Sequence, residues 1–190
     1  MEFDSYADTG IHVAVDLVNA LAPDRAGGKR APSDEALPAI AELLAVDPPS
    51  ADRLARADVP GFVTLAGQLR AVFDDLRDGG TDAAAARLND LLARHPAHPH
   101  LAKEEDGRWR LHHHAVDAAV VPMWTAICAE GLARMLSADF GDRLGTCEAP
   151  GCERVFLDQS KNASRRFCST TCQNRVKAAA FRLRRAPGRR

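Results

Sequence analysis

Four cysteines near the C-terminus carry the most specific chemistry in this sequence. Cys147 and Cys152 form a C-x4-C pair, and Cys168 and Cys172 follow as a C-x3-C pair after fifteen intervening residues. Zinc in structural sites takes four ligands in a tetrahedron, and cysteine thiolates are among its preferred donors. Two close pairs joined by a segment that folds back therefore predict a closed site for one structural Zn²⁺ ion.

Two other interpretations of the cysteines remain open, namely two disulfides or four unrelated buried thiols. The N-terminal stretch MEFDSYADTGIHVAVDLVNALAPD lacks the basic start and the continuous apolar run of a secretory signal. We therefore expect a cytoplasmic protein, in which disulfides are rare and paired cysteines more often hold metal. The fifth cysteine, Cys128, lies in an apolar helical pattern and is expected to be a buried, inert thiol.

The segment around the cysteines predicts a small zinc module of treble-clef type. Between the two pairs, the alternation at 155–157 and a polar stretch before 165–167 predict a short hairpin. The hydroxyl residues at 169–171 predict the N-cap of a helix that runs to Pro187. Such a short segment has too little core to fold without the metal.

The charge of the chain is strongly polarised. Residues 143–190 contain twelve Lys or Arg and three acidic residues, a formal net charge of +9, whereas residues 1–142 carry −10. Basic side chains that neutralise phosphates release condensed counterions, so DNA is the leading partner. Two alternatives remain open: an RNA-binding protein, or a zinc-stabilised protein-interaction module whose basic tail docks on an acidic partner or on the acidic half of the chain.

The last helix is expected to present a basic face. At about 100° per residue, Cys172, Val176, Ala179 and Leu183 share one stripe, which we expect to face the zinc and the hairpin. The remaining arc is basic and contains one aromatic ring. With two arginines expected on the returning strand of the hairpin, the predicted nucleic-acid contacts are Arg165, Arg166, Arg175, Lys177, Phe181, Arg182, Arg184 and Arg185.

Three short motifs lie in this basic segment: F-L-D before the loop, R-R-F-C before the second pair, and C-x-N-R at the helix start. Together with the cysteine spacing they resemble the zinc finger of the CGNR family. The resemblance implies that the same four cysteines bind zinc and that the finger contacts DNA. The family tetrapeptide departs at Gln173, where the family has glycine. Glutamine is not expected to bind metal, so the implied ligands are unchanged.

The stretches VAVDLVNAL, LRAVFDDLRD and LNDLLA precede a long helix that leads directly into the finger. This arrangement resembles the ABATE domain, which usually stands ahead of a CGNR finger and is described as a stress-induced transcription regulator. The resemblance implies a bacterial regulator with two domains. Residues 1–142 would form the mainly helical domain, with a sensor role, and residues 143–190 the finger.

The hydrophobic patterns predict an α+β fold whose first domain is mainly helical with a small β-hairpin. Residues 11–21 fit both strand alternation and helical spacing, and we favour a helix. Residues 22–32 are expected to form a loop, and Pro48-Pro49 to close the helix that follows it. Further helices are predicted at 33–46, 51–57, 61–77, 81–94 and 117–137, with a hairpin at 98–114.

Histidines and two polar residues provide further candidate sites. Six of the seven histidines lie at His95, His98, His100 and 112–114. Alternation in a strand places the rings of residues 112 and 114 on one face, which is typical either of surface histidines or of a second metal site. Asp16 and Asn19, three apart, are expected to bond backbone within the helical domain or to line a pocket for a small-molecule effector.

Several function classes are disfavoured. The sequence contains no Gly-rich phosphate loop and no G-x-S-x-G motif, and a four-cysteine zinc has no open coordination position, so no enzyme is expected. Charges interrupt every apolar stretch well before eighteen residues, so no membrane partner is expected. Because one small finger seldom supplies much sequence specificity, we expect a homodimer.

Overall fold

The computed structural model describes residues 5–22, 33–103 and 106–185. Most of the predicted loop at 22–32, and Pro187, lie outside these residues. The helices in the described ranges are α1 (Ser5–Leu21), α2 (Ser33–Leu44), α3 (Pro48–Arg53), α4 (Val59–Arg77), α5 (Thr81–Arg94), α6 (Val120–Ser137) and α7 (Thr170–Arg185). The strands are β1 (Pro99–Lys103), β2 (Trp109–His113), β3 (Leu144–Thr146) and β4 (Val155–Leu157).

This arrangement confirms the predicted α+β fold, with a mainly helical N-terminal part and two small antiparallel hairpins. Within the described chain, no helix is both long enough and apolar enough to cross a membrane.

Helix α1 lies at the centre of the fold and packs against α2, α4, α6 and strand β4. Because neighbours surround it, residues on most of its faces are buried, among them Ile11, Val13 and Leu17. That burial explains why its sequence fits both the strand and the helix pattern, of which the helix is confirmed. The largest fully buried side chains elsewhere are Trp124, Phe62 and Phe73, contributed by α6 and α4.

The region after α2 differs from its prediction. Pro48 and Pro49 were expected to close a helix, but α2 already ends at Leu44, and the two prolines begin α3 instead. Proline suits the first position of a helix because its missing N–H would have no partner inside the helix, and its φ is already helical. A single 3-10 turn, Arg56–Asp58, then leads into α4.

The first hairpin, β1 with β2, forms where the sequence predicts it. Its register pairs His100 with His112 and Leu101 with Leu111. At the end of β2, the buried imidazole of His113 faces α6. Its Nδ1 lies 2.9 Å from the carboxylate of Glu130 on that helix.

The second hairpin does not have the predicted strands. The alternating residues do form β4, but the strand that pairs with it is β3, which precedes Cys147, with Thr146 opposite Val155. The hairpin therefore encloses the first cysteine pair instead of lying between the two pairs. Arg165 and Arg166 lie outside any strand. The backbone N–H of Arg165 donates to the buried Asp158 carboxylate, 2.7 Å away, and not to a strand carbonyl.

This hairpin packs into the core of the helical part. Strand β4 packs against α1, and β3 packs against α4. The buried side chains of Leu144 and Val155 belong to the same hydrophobic cluster as those of the helices. The metal-bearing segment is thereby attached to the helices through shared core, and not only through a linker.

Alanine substitutions at two glycines, Gly10 in α1 and Gly67 in α4 as a control, can test how closely α1 and α6 pack. A Cβ at Gly10 would lie 2.5 Å from the carbonyl oxygen of Ile127, whereas one at Gly67 in α4 would meet nothing within 4 Å. We expect Gly10→Ala to lower the free energy of unfolding by about 1–3 kcal/mol, because the clash with backbone outweighs the better helix propensity. Gly67→Ala should raise it by about 0.5–1 kcal/mol. Urea denaturation of the two variants measures both; a stabilised Gly10→Ala would contradict the close approach.

Candidate metal centre and nucleic-acid interface

The four predicted zinc ligands meet at one point. One Sγ atom from each of Cys147, Cys152, Cys168 and Cys172 lies within 4.8 Å of all the others. The Sγ atoms of Cys152 and Cys168 are 3.7 Å apart, as are those of Cys168 and Cys172. A tetrahedral zinc with Zn–S bonds of about 2.3 Å places its sulfurs about 3.8 Å apart, whereas a disulfide needs about 2.0 Å. The cysteines form a site for one structural zinc ion with all four positions filled.

A tight turn carries the first cysteine pair. Cys147 donates its backbone N–H to the carbonyl of Arg154 (2.8 Å), which extends the β3–β4 pairing up to the metal. The N–H of Cys152 donates to the carbonyl of Ala149 (2.9 Å). Gly151 between them has a φ of 69°, in the left-handed region that favours glycine, and so lets the chain reverse.

The second pair lies at the start of α7. The Ser169 hydroxyl accepts a hydrogen bond from the backbone N–H of Cys172 at 3.2 Å, which is the predicted N-cap. Cys147, Ala149 and Cys172 form a small buried cluster, against which Phe167 and Val176 pack. Among the described residues of the finger beyond the hairpin, this cluster is the whole apolar core, so the position of α7 depends on the metal.

Burial controls the acidity of several thiols. The pKa of Cys168 is raised to about 12, mainly by burial and to a smaller extent by hydrogen bonds with the neighbouring thiols. The pKa of Cys152 is also raised by burial, whereas the hydrogen bond with Ser169 lowers that of Cys172. A divalent cation supplies the positive charge that holds such thiols together as thiolates. Cys128 is completely buried in α6, and burial raises its pKa, as expected of an inert thiol.

Arg165, one of the predicted nucleic-acid contacts, braces the finger. Its guanidinium donates to the carbonyl oxygens of Leu157, Phe167 and Cys168, and it lies over the ring of Phe156 at 4.9 Å from the centroid. These bonds tie the strand of the hairpin to the second cysteine pair.

Asp158 has a role that the sequence analysis missed. Its buried carboxylate accepts hydrogen bonds from the backbone N–H groups of Ser160 and Arg165, each at 2.7 Å. Burial by itself raises the pKa of this carboxyl, but the hydrogen bonds outweigh burial and hold the pKa below its ordinary value. The aspartate thus fixes the loop before the second cysteine pair. The F-L-D motif was the available signal.

Other predicted contacts also have partners within the protein. Arg166 forms an exposed ion pair with Glu148. Arg175 donates to the carbonyl of Pro150 at 3.2 Å. Arg185 lies over the exposed ring of Phe181, 5.0 Å from its centroid. Exposed pairs of this kind contribute little stability, so their cations remain accessible to an anionic partner.

Lys177, Arg182 and Arg184 are exposed and have no ion-pair or hydrogen-bond partner among the described residues. Helix α7 contains no acidic residue. The prediction for the apolar stripe of α7 is only half correct. Cys172 and Val176 face the finger, whereas Ala179 is exposed and Leu183 is 77% exposed. The reason is size, because the finger's apolar cluster ends at Val176 and cannot cover the later turns. The second half of α7 therefore projects into solvent.

A basic groove runs along the beginning of α7. Its volume is about 500 Å³, and it opens beside the N-terminal turn of the helix. Helix N-termini favour anions because their first N–H groups lack partners within the helix. The groove's lining includes Arg166, Phe167, Ser169, Thr170, Gln173 and Lys177.

Asn19 bonds backbone, but not within the helical domain as expected. Its Nδ2 donates to the carbonyl of Val155 (3.0 Å), and its Oδ1 accepts from the N–H of the same residue (2.9 Å). On the adjacent helix, the buried Arg70 donates to the carbonyl of Glu153 at 2.9 Å. Two helices thus hold one stretch of the finger's backbone. The nearby Asp16 is exposed and lines a cavity of about 540 Å³ between α1 and the finger.

Comparison with known families agrees with these observations. Residues 11–139 match the ABATE family model, described as "Putative stress-induced transcription regulator". The chain belongs to the ABATE family. Residues 143–185, which follow the ABATE part, match the model of the CGNR zinc finger. Both models describe regulator or zinc-finger types and not enzymes. No curated protein matches the chain.

The cysteine site predicts the metal content of this ABATE protein. We expect Cys172→Ala to lose its zinc on dialysis against a chelator, because three thiolates hold the ion far less tightly than four, and α7 to lose helicity with it. Cys128→Ala removes a buried thiol outside the site and should keep one zinc per chain. Elemental analysis and far-UV circular dichroism measure these effects. Full zinc retention by Cys172→Ala would show that the ion binds elsewhere.

The Asn19 bonds predict how firmly the finger is attached. Asn19→Ala leaves the buried N–H and carbonyl of Val155 without their partners, which should lower the free energy of unfolding by about 1–3 kcal/mol. Asp16→Ala, one turn earlier on the same helix and exposed, should change it by less than about 0.5 kcal/mol. Chemical denaturation measures both. Equal stability of the two variants would show that the Asn19 bonds do not hold the finger in solution.

Proposed function

We propose that this protein is a transcription regulator that binds DNA through α7 and the groove at its start. The observation that carries the proposal is the exposed surface of α7, which contains no acidic residue and presents Lys177, Arg182 and Arg184 without internal partners in the described chain. A helix of sixteen residues is about 24 Å long and fits the DNA major groove, which is about 12 Å wide.

The attachment of the finger supports a regulatory role. Because the β3–β4 hairpin shares the core of the helices, and because Asn19 and Arg70 hold its backbone, the helical part and the finger act as one rigid support for the first turns of α7. A change in the packing of α1 or α4 would therefore move the DNA-binding helix. This is the coupling that a sensor linked to a DNA reader requires.

The alternative in which the basic tail docks on the acidic half of the same chain finds no support in this conformation. In the parts of the chain that the structure describes, the basic side chains of α7 form no ion pair with the helical part, and they are exposed. RNA binding stays an alternative because a basic arc attracts either nucleic acid.

Other features of the function stay predictions. They are a small-molecule effector, for which the cavity beside Asp16 is the proposed site, a homodimer, a cytoplasmic location, a role in stress response and the lack of enzymatic activity. Both polar groups of the Asn19 amide are already used by Val155, so Asp16 is the better candidate for a ligand contact.

The DNA-binding surface predicts a change in salt dependence. We expect the triple variant Lys177→Ala, Arg182→Ala and Arg184→Ala, in the full zinc-loaded chain, to bind duplex DNA more weakly. The slope of log K against log salt should fall by about 2–3, since each phosphate contact contributes about 0.9. Fluorescence anisotropy between about 50 and 200 mM salt measures the slope. Alanine preserves helicity, so the loss reports on charge.

A matched control removes the same charge from the helical part. Arg56, Arg94 and Lys103 are exposed there, and changing all three to alanine should leave the slope for duplex DNA unchanged. Equal slopes for the two triple variants, or no binding of the wild type to duplex DNA at low salt, would refute the proposed surface. Tighter binding to single-stranded RNA than to duplex DNA would favour the RNA alternative.

A further inference from the structure

Three histidine rings converge at one end of the first hairpin. His100 on β1 and His112 on β2 lie opposite each other in the register, and His114 follows just beyond β2. The ring centroids are 5.5 Å apart for His100 and His112, and 5.3 Å apart for each of these with His114. His113 points the other way, toward Glu130, as strand alternation requires.

These distances fit a shared metal ion. A zinc–nitrogen bond is about 2.0–2.1 Å, so two imidazole nitrogens on a tetrahedral zinc lie about 3.3 Å apart and their ring centroids about 5.2 Å apart. The Nδ1 of His112 and the Nε2 of His114 are 3.2 Å apart and share a hydrogen bond, which a bound cation would replace. In the described chain, the cysteines are the one group of three or more ligands whose donor atoms all lie within 4.8 Å. His100 therefore has to rotate to bring a nitrogen to the other two.

Backbone carbonyls orient two of the rings for metal binding. The Nδ1 of His100 lies 3.1 Å from the carbonyl oxygen of His98, and the Nδ1 of His114 lies 2.8 Å from that of Ala115. A carbonyl oxygen only accepts, so in both rings the Nδ1 carries the proton and the Nε2 keeps its lone pair. Donation of the second ring nitrogen to a backbone carbonyl is the usual support of a metal-binding histidine.

The chemistry of the three side chains suits a transition-metal cation. His114 is buried, and His100 and His112 are half-buried. Three imidazole nitrogens are a donor set that zinc takes in proteins.

We infer that His100, His112 and His114 form a second metal site, separate from the cysteine site, that takes a divalent transition-metal cation such as Zn²⁺. The cation joins the two strands of the hairpin to the segment that leads into α6. A ligand that binds only the folded state stabilises it, so occupancy raises the melting temperature in proportion to the logarithm of the free metal concentration. The inference does not depend on DNA binding by the finger.

The test measures the zinc content of the untagged full chain with its finger loaded. Equilibrium dialysis at increasing free zinc, followed by elemental analysis, should give two zinc ions per chain for the wild type and one for His100→Ala. His100 is half-buried on a peripheral hairpin, so its removal should leave the far-UV circular dichroism unchanged. His12→Ala removes an exposed histidine of α1 and should keep both ions.

A second measurement does not depend on any variant. In long-range ¹H–¹⁵N spectra, added zinc should shift the ring nitrogens of His100, His112 and His114 and leave those of His12 unchanged. A content that stays at one zinc per chain in the wild type, an equal content of two in His100→Ala, or unshifted nitrogens of the three rings would overturn the second site.

Discussion

The tetrahedral arrangement of four thiolates around one zinc ion is the constraint on which the position of α7 depends. In the described part of the finger beyond the hairpin, the buried apolar cluster consists of Cys147, Ala149 and Cys172, with Phe167 and Val176 packed against them. So few side chains cannot offset the entropy of ordering the loop and the helix. Zinc binding in small modules contributes about 10–16 kcal/mol of apparent folding free energy.

The metal fixes one end of the finger, and the helical part fixes the other. Leu144 and Val155 lie in the main core, while Asn19 and Arg70 bond the backbone around β4. The Asp158 carboxylate and the Arg165 guanidinium connect the two ends through the loop between them. A continuous series of packed and hydrogen-bonded groups thus leads from α1 to the start of α7.

The division of charge follows from this construction. Most of the acidic residues belong to the helical part, whereas α7, which has none, extends beyond the finger's small core. Because the core ends at Val176, the later turns of α7 have nothing to pack against, and even Leu183 is exposed. A helix that a larger domain would have covered is left accessible to a polyanion. In the first hairpin, the three histidine rings bring further metal-binding groups close together.

The sequence alone determined the zinc ligands, the α+β class and most of the helices, because cysteine spacing, capping residues and helical periodicity are local signals. It also determined that the C-terminal segment is basic. The tertiary structure decided which strand pairs with β4, since a three-residue strand has no pattern that specifies its partner. It also decided that Asn19 bonds the finger and that Ala179 and Leu183 face solvent. Those outcomes depend on the size and position of distant neighbours, and no periodicity within a segment records them.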